Sequence, residues 1–313
     1  MKAIYKQATK RILSIGIIIS FLFLSYYFFD LSDLWCMFKK IWSRPDLILL
    51  IFVVYFLSFC LKAWAWKLYL HKKPRFLSCL IGILYSLFIN HITPIKVGDL
   101  VRAGILSSRD KMVSVEESLH SVVVLRILDI VSLMGFTILG ILVMDVPFST
   151  PLLLILIAFV LGGGLLLLIK IKYPEFLTRH VFLMKSAFYG GNGWFIFLLT
   201  ITSWVLEAVV LYGTATAVEQ DISLIHSIWI NSVTVSGQVF QITPGGIANY
   251  ETIMTFALGM IGIAKKEAYS IAILTHSMKF IFSYIAGAMA ILIFPVSLKI
   301  LKSWIKTKGE VRG

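Results

Sequence analysis

The sequence predicts an all-α polytopic membrane protein with six spanning helices and two re-entrant helical hairpins. Three observations predict it. Of 313 residues, 59% are hydrophobic and only 14% charged, against about 25% charged in soluble domains, so the polar surface is too small to cover a soluble fold. Several apolar runs reach or approach the ~20 residues that a bilayer core demands. The basic residues, which bring the net charge to +13, cluster between those runs, as cytoplasmic loops require. The same composition excludes a disordered chain. It also excludes a basic nucleic-acid-binding face, so no nucleic-acid partner is expected.

The first spanning helix is read at 12–29, and no small-residue cleavage site follows it, so it is expected to be retained rather than removed as a signal peptide. The second covers 47–61 and extends through the amphipathic stretch 62–70. The third, 118–144, is broken by Arg126 and Asp129. The fourth is 151–169. The fifth, 194–218, contains Glu207, and the sixth, 268–294, contains His276 and Lys279. Two further apolar regions, 77–92 and 222–242, stop at Thr93-Pro94 and at Thr243-Pro244-Gly245-Gly246 and then resume. Arms this short, joined at a proline turn, suit re-entrant hairpins buried in protein. Cys36, Cys60 and Cys79 show neither paired spacing nor CxxC, so no disulfide framework, zinc site or other metal or cofactor is expected.

Loop charges set the orientation. Cations concentrate at the N-terminus, in 67–76, 109–111 and 170–193, and at the C-terminus, whereas 145–150 and 219–221 carry only Asp145, Glu219 and Asp221. Placing the basic group inside makes both termini cytoplasmic in a multi-pass protein of the cytoplasmic membrane. The 30–46 loop, with Lys39, Lys40 and Arg44, and the pair Lys265-Lys266 then lie outside, as two exceptions. No linker divides the chain, so 1–313 is read as one transmembrane domain. Its parts are two N-terminal helices in 1–76, a repeat in 77–144, connecting helices in 145–226, a second repeat in 227–294, and a basic tail in 295–313.

The repeat rests on spaced landmarks. A shift of 150 residues carries Ile92-Thr93-Pro94 onto Ile242-Thr243-Pro244, Glu117 onto Glu267, and Arg126/Asp129 onto His276/Lys279. Three crossings separate the hairpins, so the second repeat is expected to be inverted, as in many transporters.

Thr-Pro ahead of a helix has a mechanical reading: Thr at the N-cap, Pro at the first helical position. Thr93-Pro94 and Thr243-Pro244 would then each start a return arm whose free N–H groups attract phosphate or carboxylate. Gly245 and Gly246 would admit a ligand close to the backbone. Lys96, Asp99 and Arg102 are spaced to share one face of the first return arm, and Arg126 and Asp129 a face of the next helix. The bland expectation is two local ion pairs, Asp99–Arg102 and Arg126–Asp129. The sharper one is a hydrated groove for an anionic head group, because three cations against two acids leave one positive charge over. Glu207, Glu251, His276 and Lys279 supply the second half.

At these residues the chain resembles a known family. Asn90-x-x-x-Pro94-x-Lys96-x-Gly98-Asp99-x-x-Arg102, Arg126-x-x-Asp129, and Pro244-Gly245-Gly246 with Glu251 are similar to motifs of the flippase-like integral membrane family. That family includes the transmembrane region of lysylphosphatidylglycerol synthase, the multiple peptide resistance factor. The resemblance covers roughly 77–294. It departs at Ala248, where the family often has Gly, and at His276, where it often has Arg; the latter sets the second half apart from the first as a phosphate site. The resemblance implies lipid translocation and, in one branch, lipid aminoacylation by a separate soluble domain. The sequence ends at Gly313 without such a domain, so aminoacyl transfer is not expected.

The expected function is a lipid flippase-like transporter, not an enzyme, moving an anionic or phosphate-bearing lipid between leaflets. It would act as a homo-oligomer or beside a lipid-modifying enzyme. No GxxxxGK[ST] loop occurs, so ATP is not the expected driver; exchange is passive or proton-coupled through Glu207, Glu251, His276 or Lys279. The alternative is a membrane glycosyltransferase using a polyprenyl-phosphate sugar, supported by the acidic pair Asp30-x-x-Asp33. A third is a non-catalytic partner of a lipid-modifying enzyme.

Overall fold

Long apolar runs free of internal proline fold as long helices. The computed structural model describes residues 31–71, 73–94, 96–143, 171, 192–238 and 243–296. Among these, α1 (Leu31–Trp42), α2 (Pro45–Tyr69), α3 (Phe76–Ile92), α4 (Gly98–Arg109), α5 (Val115–Val143), α6 (Gly193–Ala217), α7 (Leu224–Gly237), α8 (Asn249–Met260) and α9 (Lys265–Ile293) follow in order, with a 3-10 turn at Pro244–Gly246 before α8. No strand occurs among the described residues. Local signals set several boundaries. Pro45 sits in the first turn of α2, where its missing N–H costs nothing, and the Ser223 hydroxyl accepts from the His226 N–H to cap α7.

Among the described residues four helices, α2, α5, α6 and α9, are long and apolar enough to cross a membrane. They coincide with the second, third, fifth and sixth predicted spans. Their 25 to 29 residues reach about 37–44 Å, beyond the ~30 Å hydrocarbon core. Val123, Ile127 and Val131 form an exposed apolar row on α5, which suits lipid. The predicted spans at 12–29 and 151–169, the 145–150 loop, nearly all of the 170–193 loop and the tail from 297 onward lie outside the described residues. The predicted 30–46 loop is corrected: most of it is the helix α1.

The two proline-broken regions are each a pair of short helices, α3 with α4 and α7 with α8, and the arms of each pair pack on one another. At 12 to 17 residues per arm, each extends only about 18–26 Å. The element pattern repeats. α4 and α8 have 12 residues each, and α5 and α9 have 29 each, starting at Val115 and Lys265. Packing is reciprocal: the first arm of one repeat lies on the long helix of the other, α3 on α9 and α7 on α5. α2 and α6 pack extensively against each other beside both. The tip of the second hairpin seats on the end of the first arm of the other. Gly245 has a positive φ of 64°, and a Cβ there would lie 3.2 Å from the His91 carbonyl and clash with the Phe280 ring, so glycine is required.

Candidate functional site

The first half of the site hangs on Asp99, in the first turn of α4. Arg126 of α5 donates to both its oxygens, Nε to Oδ2 and Nη2 to Oδ1, each at 2.8 Å. This two-pronged geometry is the strong form of the arginine–carboxylate pair. Arg126 Nη1 also donates to Asp129 Oδ2 at 3.3 Å. Arg102 Nε stands 3.2 Å from Asp99 Oδ1 but is not aligned for a hydrogen bond. Its Nε and Nη2 are buried and without hydrogen-bond partners among the described residues, and its guanidinium lies over the Trp66 ring at 5.3 Å. Lys96 lies within electrostatic reach of Asp99, Arg126, Asp129 and Glu207. Both expected local pairs are present, but the best-formed contact, Asp99–Arg126, joins two helices. The cluster opens to one side: the Arg126 side chain is 39% exposed, whereas that of Arg102 is 7%.

The expected helix starts are corrected. α4 begins at Gly98, not Pro94, so Lys96 precedes the helix rather than sitting within it. Thr93 ends α3, its hydroxyl donating to the Ile89 carbonyl at 2.7 Å. The cap of α4 comes from the preceding arm: Asn90 Oδ1 accepts from the Gly98 N–H at 2.8 Å. A Cβ at Gly98 would clash with the Ser86 carbonyl and the Asn90 side chain, so the two arms meet there only through glycine.

In the second half, Pro244 opens a 3-10 turn, and the Thr243 hydroxyl donates across it to the Ile247 carbonyl at 2.6 Å. Gly245 and Gly246 both have positive φ. α8 starts later, at Asn249, behind Ala248. Its opening is already held by a carboxylate of this chain: Glu251 Oε2 accepts from the Ala248 N–H, and Glu251 Oε1 pairs with His276 Nδ1, each at 2.7 Å. The His276 ring stacks on Tyr250 at 4.0 Å.

α6 joins the halves. Glu207 accepts from Lys62 of α2 and from Lys279 of α9, each at 3.1 Å, and Lys279 also donates to Asn231 Oδ1 at 2.9 Å. The Lys62 ammonium lies 3.5 Å from the centre of the Trp204 ring, and Trp204 Nε1 donates to Asp129 Oδ1 at 2.9 Å. A continuous polar chain thus runs from Arg102 through Asp99, Arg126, Asp129, Trp204, Lys62 and Glu207 to Lys279. Among the described residues of the site, five cations, Lys62, Lys96, Arg102, Arg126 and Lys279, outnumber the carboxylates Asp99, Asp129, Glu207 and Glu251. Lys62, Trp204, Asn231 and Trp66 are not singled out by the sequence, and Asn90 stands in the motif there without its capping role. For Lys62 the signal was available: it is a charge inside an apolar run, as Glu207 is. Among the described residues no group of His, Cys, Asp and Glu could hold a metal ion.

Apolar helices of spanning length around a charged, cation-rich centre define an integral membrane protein with an internal polar cluster. Residues 11–287 match the family model of the lysylphosphatidylglycerol synthase transmembrane region, and the chain belongs to that family. No curated protein and no solved structure matches it.

Proposed function

We propose that the protein is a flippase-like transporter that moves an anionic or phosphate-bearing lipid between the leaflets of the cytoplasmic membrane, with no catalytic chemistry of its own. The observation that carries this reading is Arg102: a buried guanidinium with two unused donors, beside Asp99, whose best bonds go to Arg126. A phosphate oxygen is the acceptor such donors suit. Lys96 and the partly exposed Arg126 would receive the head group, and Arg102 would hold it, while the acyl chains stay in lipid. The family supports a lipid-related membrane role.

In this reading α3–α4 and α7–α8 are re-entrant hairpins, six helices cross the membrane, both termini are cytoplasmic, and the repeats are inverted. The equal element lengths and reciprocal packing support it. Coupling to protons would run through Glu207, His276 or Lys279. The test is reconstitution into liposomes with fluorescent head-group lipids, scoring leaflet exchange across anionic, zwitterionic and neutral lipids. Exchange of anionic lipid at the protein-free rate overturns the proposal. Asp30→Asn with Asp33→Asn separates it from a glycosyltransferase: a transferase loses activity and a flippase does not.

A further inference from the structure

We propose that α1 is an interfacial helix whose exposed face lies in the boundary between head groups and acyl chains, independently of what the site transports. α1 has three arcs. Leu34, Met37 and Ile41 pack toward the protein core. Trp35, Phe38 and Trp42, at i, i+3 and i+7, are large apolar side chains left exposed, Trp35 at 56%. Asp33, Cys36, Lys39 and Lys40 occupy the remaining arc. The exposed rings form a row, Trp35 stacked on Phe38 at 5.6 Å and Phe38 beside Trp42 at 5.7 Å, and the Lys39 ammonium stands 5.5 Å from the Trp35 ring.

Continuity with the membrane identifies the occupant. Only Ser43 and Arg44 separate α1 from α2, a helix long and apolar enough to span. α1 therefore sits at the mouth of a crossing. At 12 residues it reaches about 18 Å, too little to cross the core. Tryptophan favours the zone where an apolar body and a polar tip are both satisfied. A helix with an apolar side and a charged side lies in the interface plane, its apolar side about 5–10 Å into the head-group boundary. Lys39 then stands at phosphate level above the aromatic row. Lys40 bonds Glu219 at 2.5 Å, which ties α1 to the segment after α6.

The test reads depth at two neighbouring positions of the full chain in phosphatidylcholine–phosphatidylglycerol vesicles. A nitroxide is placed on native Cys36, with Cys60→Ser and Cys79→Ala, and separately at Phe38→Cys with Cys36→Ser added. Phe38 is partly exposed, so its replacement leaves the core intact. Collision with oxygen reports lipid, and collision with a water-soluble nickel chelate reports water. The expected oxygen-to-nickel ratio is several-fold higher at position 38 than at 36. Nickel-dominated collisions at both positions overturn the proposal, because the helix then stands in water. So does shielding of position 38 from both reagents, because protein then covers the row.

Discussion

Asp129 and Lys279 are each the fifteenth residue of a 29-residue helix, 150 residues apart, and both bond to α6: Asp129 accepts from Trp204 and Lys279 donates to Glu207. Trp204 and Glu207 are three residues apart and share a helix face. Corresponding positions of the two repeats thus converge on one turn of a helix that belongs to neither. α6 is the structural joint between the halves.

That joint gives the first prediction. Glu207 is the carboxylate between Lys62 and Lys279, and all three side chains are at most 16% exposed. Glu207→Ala strands two buried ammonium groups, and removing one partner of a buried pair costs about 3–5 kcal/mol. Thermal unfolding in detergent should show a large loss. Glu207→Leu combined with Lys279→Met should recover part of it, since the second change removes one of the two stranded charges.

Asp99 and Asp129 should respond differently to the same change. Asp99→Asn deprives Arg126 of its two-pronged partner and Arg102 of the carboxylate 3.2 Å from its Nε. The expected cost is about 2 kcal/mol, below the fully buried value because Arg126 reaches solvent. Asp129→Asn keeps an oxygen for Trp204, and Arg126 keeps Asp99, so its cost should be under about 1 kcal/mol. Equal losses in unfolding measurements would contradict the observed pairing.

The first hairpin predicts a second contrast. Asn90→Ala removes the cap of α4 and should cost about 1 kcal/mol. Gly98→Ala forces a methyl group against the α3 backbone and should cost about 1–3 kcal/mol. It should also loosen the link carrying Lys96. Melting curves of the two variants rank them, with Gly135→Ala, inside α5, as the helix-interior reference because a Cβ there meets nothing within 4 Å.

Single-cysteine labelling checks the topology. Cysteines at Arg75 and Lys111, flanking the α3–α4 pair, should label from the same side of sealed vesicles. So should cysteines at Asp221 and Lys266, flanking α7–α8, from the opposite side. Opposite labelling across either pair would make it a true crossing and remove the inverted repeat.

The long helices were legible because apolar length is a local property: α2, α5, α6 and α9 begin and end within three residues of the expected bounds. The breaks at Pro94 and Pro244 were legible for the same reason. The caps were not. Thr-Pro is a local signal, but Asn90 caps α4 across a turn, and Glu251 reaches back to Ala248 from inside α8. Sequence spacing finds partners three or four residues apart, and so it found Asp99–Arg102 and Arg126–Asp129. Asp99–Arg126 and Lys62–Glu207 depend on which helices become neighbours, which no spacing encodes.

Arg102 carries the last prediction. Its structural duty is light, because Asp99 retains both bonds from Arg126 when Arg102 is removed. Arg102→Lys keeps the charge but loses the planar fork that matches phosphate oxygens. It should fold and insert normally and slow exchange of phosphate-bearing lipids in liposomes. Arg102→Ala also removes the charge and should slow exchange further, by about tenfold or more if one charge-assisted bond of roughly 1.5–3 kcal/mol is lost. Exchange of a neutral lipid should be poor in every version. Trp66→Phe, which keeps an aromatic face beside Arg102 but loses the indole bond to Ser121, should alter stability more than exchange. Wild-type exchange of anionic lipid by stable, correctly inserted Arg102→Ala protein would reduce Arg102 to a structural neighbour of Asp99 and remove the ground for the proposed transport site.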